Sequence, residues 1–404
     1  MARKALIALV LAWSAALLAE PASQPRLADV LPPELRQSVH HTVEGVELQD
    51  GYYVFTVDTE FGSFVAESMP QLRNLVNETE VLSQAMNQFT QSNPQLEPEL
   101  RGQFNIQADS AVDILTRPVA TAANLAGQLG GNINQALTGS PVVINEYQRV
   151  DFAAADSADP TAAMHKRNIA AQWGFDVYSS NPVVQNFLNT AARARSGGRI
   201  SAGAPAFFNS RQVVARAADA GVDMEVGQLL KTETAMALAD RNRRELMDMQ
   251  IPAATVESFL AHPAFSPRHQ TRITRYLVAL GRVVNRAAFL DSALRSNSER
   301  GAVIHENLAM MLLYYHRHVA PLQKLHFGNN LLQAIHGNSS IVVLQPEDLV
   351  LWSADVQRNL DAVVQRAHDS GFRNLDLMAA GAVSSSAQVQ IGARGFALRD
   401  HMVF

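Results

Sequence analysis

Three short clusters carry side chains able to bind or react. The first is Phe175–Asn181, where Asp176, Tyr178 and Asn181 follow Trp173 and set aromatic surface beside polar groups just ahead of Pro182. Loops held by a rigid scaffold often carry function. The same Asp, Ser and Asn residues also suit a helix cap before a proline. The second cluster begins at Ser266-Pro267-Arg268-His269. In a helix, Arg268, Arg272 and Arg275 fall at i, i+4 and i+7 and share a face. That face would attract an anionic partner, or stand in solvent with scattered ion pairs. The third is Ser384-Ser385-Ser386, placed between a strand-like run and a helix-like run. Free N–H groups at such a helix start can hold a small anion, and a serine there is equally a plain N-cap.

Other chemistries are excluded or unsupported. The chain has no cysteine, which removes thiol nucleophiles, disulfides and Cys-ligated metals. No phosphate-cradling glycine loop, no Gly-x-Ser-x-Gly elbow and no His-Glu-x-x-His occurs. His305 and His316 lie three turns apart on one helical pattern, too far to share an ion, and His318 points elsewhere. The adjacent His40 and His41 do not make a shared site either. No metal and no cofactor is therefore expected.

The elements that would position these clusters can be read from periodicity. A three-stranded meander is predicted over about residues 43–67, with Asp50-Gly51 as a hairpin turn and a short helix over Leu35–Thr42 before it. A helix opening at Pro70 carries Leu72, Leu75, Val76, Leu82, Met86 and Phe89 on one face, and closes an N-terminal β/α module over residues 30–92. Residues 93–160 read as an irregular, partly helical region. It holds a small-residue helix over 111–137 and an Ala/Asp-rich linker over Asp151–Pro160. A helical domain follows over 161–325, with single long helices over Gly227–Met249 and Ala302–Lys324 and one from Ser266 to about Asn285. Residues 338–404 read as a small α/β subdomain with strands at Ile341–Leu344, Leu349–Trp352, Asn374–Ala379 and Phe396–Arg399. The expected class is α+β and helix-dominated.

Residues 1–19 read as a signal peptide. Arg3-Lys4 precede an apolar run of about fifteen residues, short of the roughly 20 a spanning helix needs. Cleavage is expected after Ala19, with Ala22 as the alternative. Loss of this segment removes two bases and no acid, so the mature chain is more acidic than the net −5 of the whole. An acidic chain lacks the basic footprint that nucleic acid requires. No other run approaches a membrane span, so the mature chain is expected to have no integral span. The 111–137 stretch could lie on a membrane surface but has no basic face.

Three stretches carry a resemblance. They are Lys166-Arg167 through Gly174-Phe175-Asp176-Val177-Tyr178-Ser179-Ser180-Asn181-Pro182-Val183-Val184-Gln185, then Pro263 to Thr271, and Thr56 to Phe64 with its Glu60-Phe61-Gly62. On these the chain resembles a set of exported proteobacterial proteins of unknown function. The resemblance implies export and assigns no reaction, ligand or catalytic residue. The expected role is a periplasmic, non-catalytic binding or interaction protein with a protein or small-molecule partner. The alternative is a periplasmic enzyme whose motif-less site lies between the helical domain and the C-terminal α/β unit.

Overall fold

The computed structural model describes residues 25–98, 100, 142–143, 151–200, 220–337 and 339–402. The segment read as a signal peptide, the stretch read as a helix over 111–137 and most of the 93–160 region lie outside these residues. Among the described residues the protein is α+β and dominated by helix.

Two short helices, α1 (Leu27–Val30) and α2 (Pro33–Arg36), lead into β1 (His41–Gln49). The helix expected over Leu35–Thr42 is thus one turn ending at Arg36. β1, β2 (Tyr52–Thr59) and β3 (Gly62–Ala66) form the antiparallel meander. The β1–β2 turn places both Asp50 (φ 52°) and Gly51 (φ 83°) in the left-handed region, as a two-residue hairpin demands. α3 (Met69–Ser92) is capped by the Ser68 side chain and lays Leu72, Leu75, Leu82 and Phe89 in one core with Phe55, Val57 and Phe64. β4 (Val142–Val143) pairs parallel with β3.

That core does not stop at the meander. It takes in α5 (Pro160–Trp173) and α6 (Pro182–Ser196) through Ile169, Trp173, Phe187 and Leu188. The Phe89 and Phe187 rings meet edge-on with centroids 5.8 Å apart. The stretch read as a linker instead holds α4 (Phe152–Ala158), capped by Asp151.

The helix expected over Gly227–Met249 is two: α7 (Ala220–Thr232) and α8 (Ala235–Asp248), the second restarted by a Thr234 cap. α9 (Ala253–Leu260), α10 (Pro267–Ala279), α11 (Ala287–Ala293) and α12 (Glu299–His318) complete the helical layer. α10 stops at Ala279, not near Asn285. The helix expected to reach Lys324 ends at His318, and β5 (Leu322–Gly328) begins at Leu322.

β5 turns through Asn329 (φ 53°) and Asn330 (φ 56°) into β6 (Leu331–His336), then β7 (Ser340–Gln345). β8 (Leu349–Val350), α13 (Ala354–Asp369), β9 (Asn374–Ala379), β10 (Ala382–Val383), α14 (Ser385–Ala393) and β11 (Phe396–Arg399) follow. The main sheet runs β11-β9-β7-β6-β5, with β9 and β11 parallel to β7. Alternation along the strands gives the sheet two apolar faces. Leu332, Ala334, Val342, Leu344 and Met378 face the helical layer, whereas Leu331, Ile341, Val343 and Leu377 pack with α13 and α14.

Candidate functional site

The 174–181 loop is built by local hydrogen bonds. Gly174 (φ 77°) ends α5, a conformation favouring glycine at a helix C-terminus. Asp176 accepts the Tyr178 N–H at 2.9 Å, and the Ser179 hydroxyl accepts the Asn181 N–H at 3.0 Å. Asn181 caps α6 through Val183 N–H at 3.0 Å. Gln185 Nε2 reaches back to the carbonyls of Val177 and Ser179 at 3.1 and 2.8 Å. A loop fixed at so many points holds its side chains in one arrangement.

Its two faces differ. On one, Asp176 lies 3.5 Å from Arg268, and Arg268 lies 3.3 Å from Glu306 of α12. Arg272 bonds Glu306 at 2.9 Å and Asp223 of α7 at 3.1 Å. His269 forms a capping box with Ser266 at the start of α10, and its Nε2 stands 3.8 Å from Glu306. Burial alone would raise the Glu306 carboxyl, yet Arg268 and Arg272 hold it down at about 2. Asn181 joins one step away, donating to Glu78 at 3.2 Å. Burial pushes Glu78 up to about 7, and neighbouring Asp176 adds to the rise.

Four of the sequence-derived candidates, Asp176, Arg268, His269 and Arg272, therefore meet around one carboxylate. Of the two readings of the Arg268, Arg272 and Arg275 face, an anion-binding surface or one with ion pairs, the structure has ion pairs: each arginine is paired within the chain, Arg275 with Glu225 and Glu245. Sequence reasoning missed Glu306, Asp223 and Glu78, because helix packing rather than spacing brings them in. Ser384 caps α14 through the Ala387 N–H at 3.2 Å. Ser385 and Ser386 occupy the first turn of that helix, on the sheet face opposite the helical layer.

On the loop's other face, Tyr178 borders a cavity of about 180 Å³ between α4, α5 and α6. The Phe152 and Tyr178 rings meet edge-on at 5.0 Å, and the Lys166 ammonium stands 5.9 Å from the Phe152 ring centre. Tyr178 is only 2% exposed, and its buried hydroxyl has no hydrogen-bond partner among the described residues. Lys166 donates to Gln185 at 2.7 Å; burial, helped by Arg193, lowers its pKa to about 8.

Two further titratable groupings escaped the sequence. Tyr315 donates to Asp376 and meets His336 Nε2 at 2.9 Å, with His336 3.2 Å from Asp376, where α12 crosses the sheet. Glu347 and Asp348 lie at the joint between the sheet and the N-terminal meander; burial raises them to about 7 and about 6. Of the histidines considered earlier, His305 is buried against Ser292, Ser296 and the Gly301 carbonyl, which is a packing role. Among the described residues no group of His, Asp and Glu is arranged to hold a metal ion, and no helix is long and apolar enough to cross a membrane.

The fold and these sites define a helix-dominated α+β protein with a small cavity lined by apolar groups and by charges of both signs. No family model, curated protein or solved structure matches the chain.

Proposed function

We propose that the protein is an exported, non-catalytic binding protein that holds a small molecule in the cavity between α4, α5 and α6. The observation that carries the reading is the cavity itself, where the Lys166 ammonium, with one donor bond to Gln185, stands beside the Phe152 ring. The Glu306 cluster, whose charges are paired within the chain, supports the loop from behind. Export rests on the basic n-region and apolar h-region of residues 1–19.

Native mass spectrometry of the protein purified from its own host's periplasm tests both halves. The expected spectrum shows a chain beginning at Glu20 and carrying an added small mass. That added mass should be lost when Phe152→Trp fills the cavity. An uncleaved chain overturns export; a bare chain at high recovery moves the role to a protein partner.

The enzymatic reading has one observation in its favour: Tyr315, His336 and Asp376 meet where the helical layer joins the C-terminal sheet. A turnover assay in which His336→Gln abolished activity without loss of folding would promote it.

A further inference from the structure

Lysine is scarce in this chain. Lys4, Lys166, Lys231 and Lys324 are its lysines, and the other Lys-or-Arg positions are all arginine. Lys231 and Lys324 stand exposed. Lys166 instead lines the cavity between α4, α5 and α6, partly buried, with its Nζ 5.9 Å from the centre of the Phe152 ring that forms one wall. Its hydrogen bond goes to a neutral amide, Gln185 Oε1, at 2.7 Å, and no carboxylate stands at ion-pair distance from it among the described residues. Arginine is the better residue for a buried ion pair, whereas lysine is the one whose charge burial can remove.

Burial is the largest influence on Lys166 and lowers its pKa. Asp156 opposes that, Arg193 reinforces it and Asp176 opposes it more weakly, and the balance stands at about 8. At pH 7.5 such an amine is neutral in about one molecule in four, against about one in a thousand for an ordinary lysine. A neutral amine is a nucleophile, and desolvation in an apolar pocket is one way to make a lysine into one. Asp156, Asp159 and Arg193 put both signs of charge on the lining, so charge does not choose the ligand and the chemistry of Nζ does. Phe152, Val177 and Ala192 supply apolar walls. A void of about 150 Å³ lined by apolar groups accepts benzene, so about 180 Å³ takes one ring or a short chain.

From this geometry we infer that Lys166 is a nucleophile that condenses reversibly with a small apolar aldehyde seated in the cavity. The neutral Nζ bonds to the carbonyl carbon, the carbonyl electron pair moves to oxygen, and one proton passes from nitrogen to that oxygen. The carbinolamine then expels water as the C=N bond forms. Amine and aldehyde give imine and water, with no oxidant or reductant. The imine nitrogen takes a proton from solvent, and the cation stands where Asp156 already favours positive charge. This rests on the binding reading above and adds the ligand's chemical class and its mode of attachment.

Labelling of the mature chain with benzaldehyde and cyanoborohydride at pH 7.5 tests it, because the reductant turns the imine into a stable benzylamine that peptide mapping locates. One benzyl group is expected on Lys166, formed about tenfold faster or more than on Lys231 and Lys324. The chain's α-amine, with an ordinary pKa of about 8 and no cavity around it, separates the effect of pKa from that of the cavity. Saturating benzyl alcohol, which occupies the cavity without reacting, should slow Lys166 about tenfold and leave the α-amine unchanged. Phe152→Trp, which fills the cavity, should do the same, and Lys166→Arg should abolish the fast label. Labelling of Lys166 no faster than that of Lys231 and Lys324, or undiminished by the alcohol, overturns the inference. Calorimetry of the unlabelled chain with benzyl alcohol separates this from the binding reading. Binding of the alcohol without fast labelling overturns the lysine chemistry and leaves the cavity as a binding site. Absence of both overturns the two together.

Discussion

Two regions of this molecule bury carboxylates, and they do so to opposite electrostatic effect. Around Glu306, burial is outweighed by Arg268 at 3.3 Å and Arg272 at 2.9 Å, and the carboxyl falls to about 2. At the joint between meander and sheet, Glu347 and Asp348 are also buried, but no arginine pairs with either at ion-pair distance among the described residues. Asp348 accepts backbone N–H bonds from Tyr53 at 3.0 Å and Met69 at 2.9 Å, while Arg73 and Arg300 act only from further off. Glu347 accepts from the Gln345 amide at 2.8 and 3.0 Å but has no cation beside it, and burial raises it to about 7. Burial sets the size of the problem in both places; the presence of a paired cation sets its sign.

The two acids also do different structural work. Glu306 links α10 to α12 within one layer. Asp348 links two parts of the chain: it takes the first N–H of α3, 279 residues away in sequence, and Leu349 N–H bonds the Gly51 carbonyl at 2.9 Å. A carboxylate at that helix start is favoured by the backbone dipole, which compensates for some of the missing cationic support.

The largest effect is expected at Glu306. Glu306→Gln leaves Arg268 and Arg272 facing one another with Asp176 and Asp223 as their remaining partners. Removing one member of a buried ionic cluster costs about 3–5 kcal/mol. Urea unfolding should show a lower midpoint with an unchanged slope, and the gap from wild type should narrow as pH falls from about 4.5 toward 2, where Glu306 itself protonates. A loss under about 1 kcal/mol would show that Asp176 and Asp223 suffice, and the contrast between the regions would collapse.

Next comes Gly381→Ala at the joint. A Cβ there would collide with the carbonyl carbon and oxygen of Asp348, both backbone atoms. The backbone must move, at about 2–3 kcal/mol. The movement should also admit water to Glu347 and Asp348. The variant is therefore expected to be less stable at pH 5 and to lose stability less steeply above it than wild type does. An alanine tolerated with an unchanged pH profile would show that the joint is loose already.

Much of this architecture is legible in the sequence where local rules decide. Asp50-Gly51 announces its hairpin because a two-residue turn needs two positive φ angles. Ser68 with Pro70, Ser266 with Pro267 and Ser353 mark helix starts because the side-chain oxygen fits an unpaired N–H. The β5–β6 hairpin is not read because Tyr315, Val319 and Leu322 continue the helical stripe past the helix end. The signal against that reading is Pro321, which disfavours helix in the residue before it. The split between α7 and α8 rests on Thr234 alone. For the site, the i, i+4, i+7 spacing places the arginines on one face. Their partners Asp223 and Glu306 lie 49 and 34 residues away and are set by how α7, α10 and α12 pack. The unpaired Tyr178 hydroxyl is likewise a fact of packing, which no motif encodes.

The smallest effect isolates the joint's titration. A carboxyl whose folded pKa lies above its unfolded value binds more protons when folded in the interval between them, so stability falls as pH rises through it. For Glu347 that interval runs from about 4.5 to about 7; for Asp348 it runs from about 4 to about 6. Glu306 titrates below both, and its contribution is already complete there. These two acids and Glu78, raised to about 7 in the other region, should therefore each withdraw stability between pH 5 and pH 7.5, while His305, lowered by burial to about 4, adds stability over the lower part of that window. Glu347→Gln removes one of these three acids and should gain about 1–2 kcal/mol at pH 7.5 relative to its change at pH 5, after discounting for partial exposure. Glu78→Gln gives the matched measurement beside Asp176. Arg268 stands near Glu78 and opposes its rise, whereas no arginine opposes that of Glu347. Both acids nonetheless stand at about 7, so the two substitutions should flatten the profile about equally, and a markedly smaller effect of Glu78→Gln would show that Arg268 opposes its rise more strongly than this.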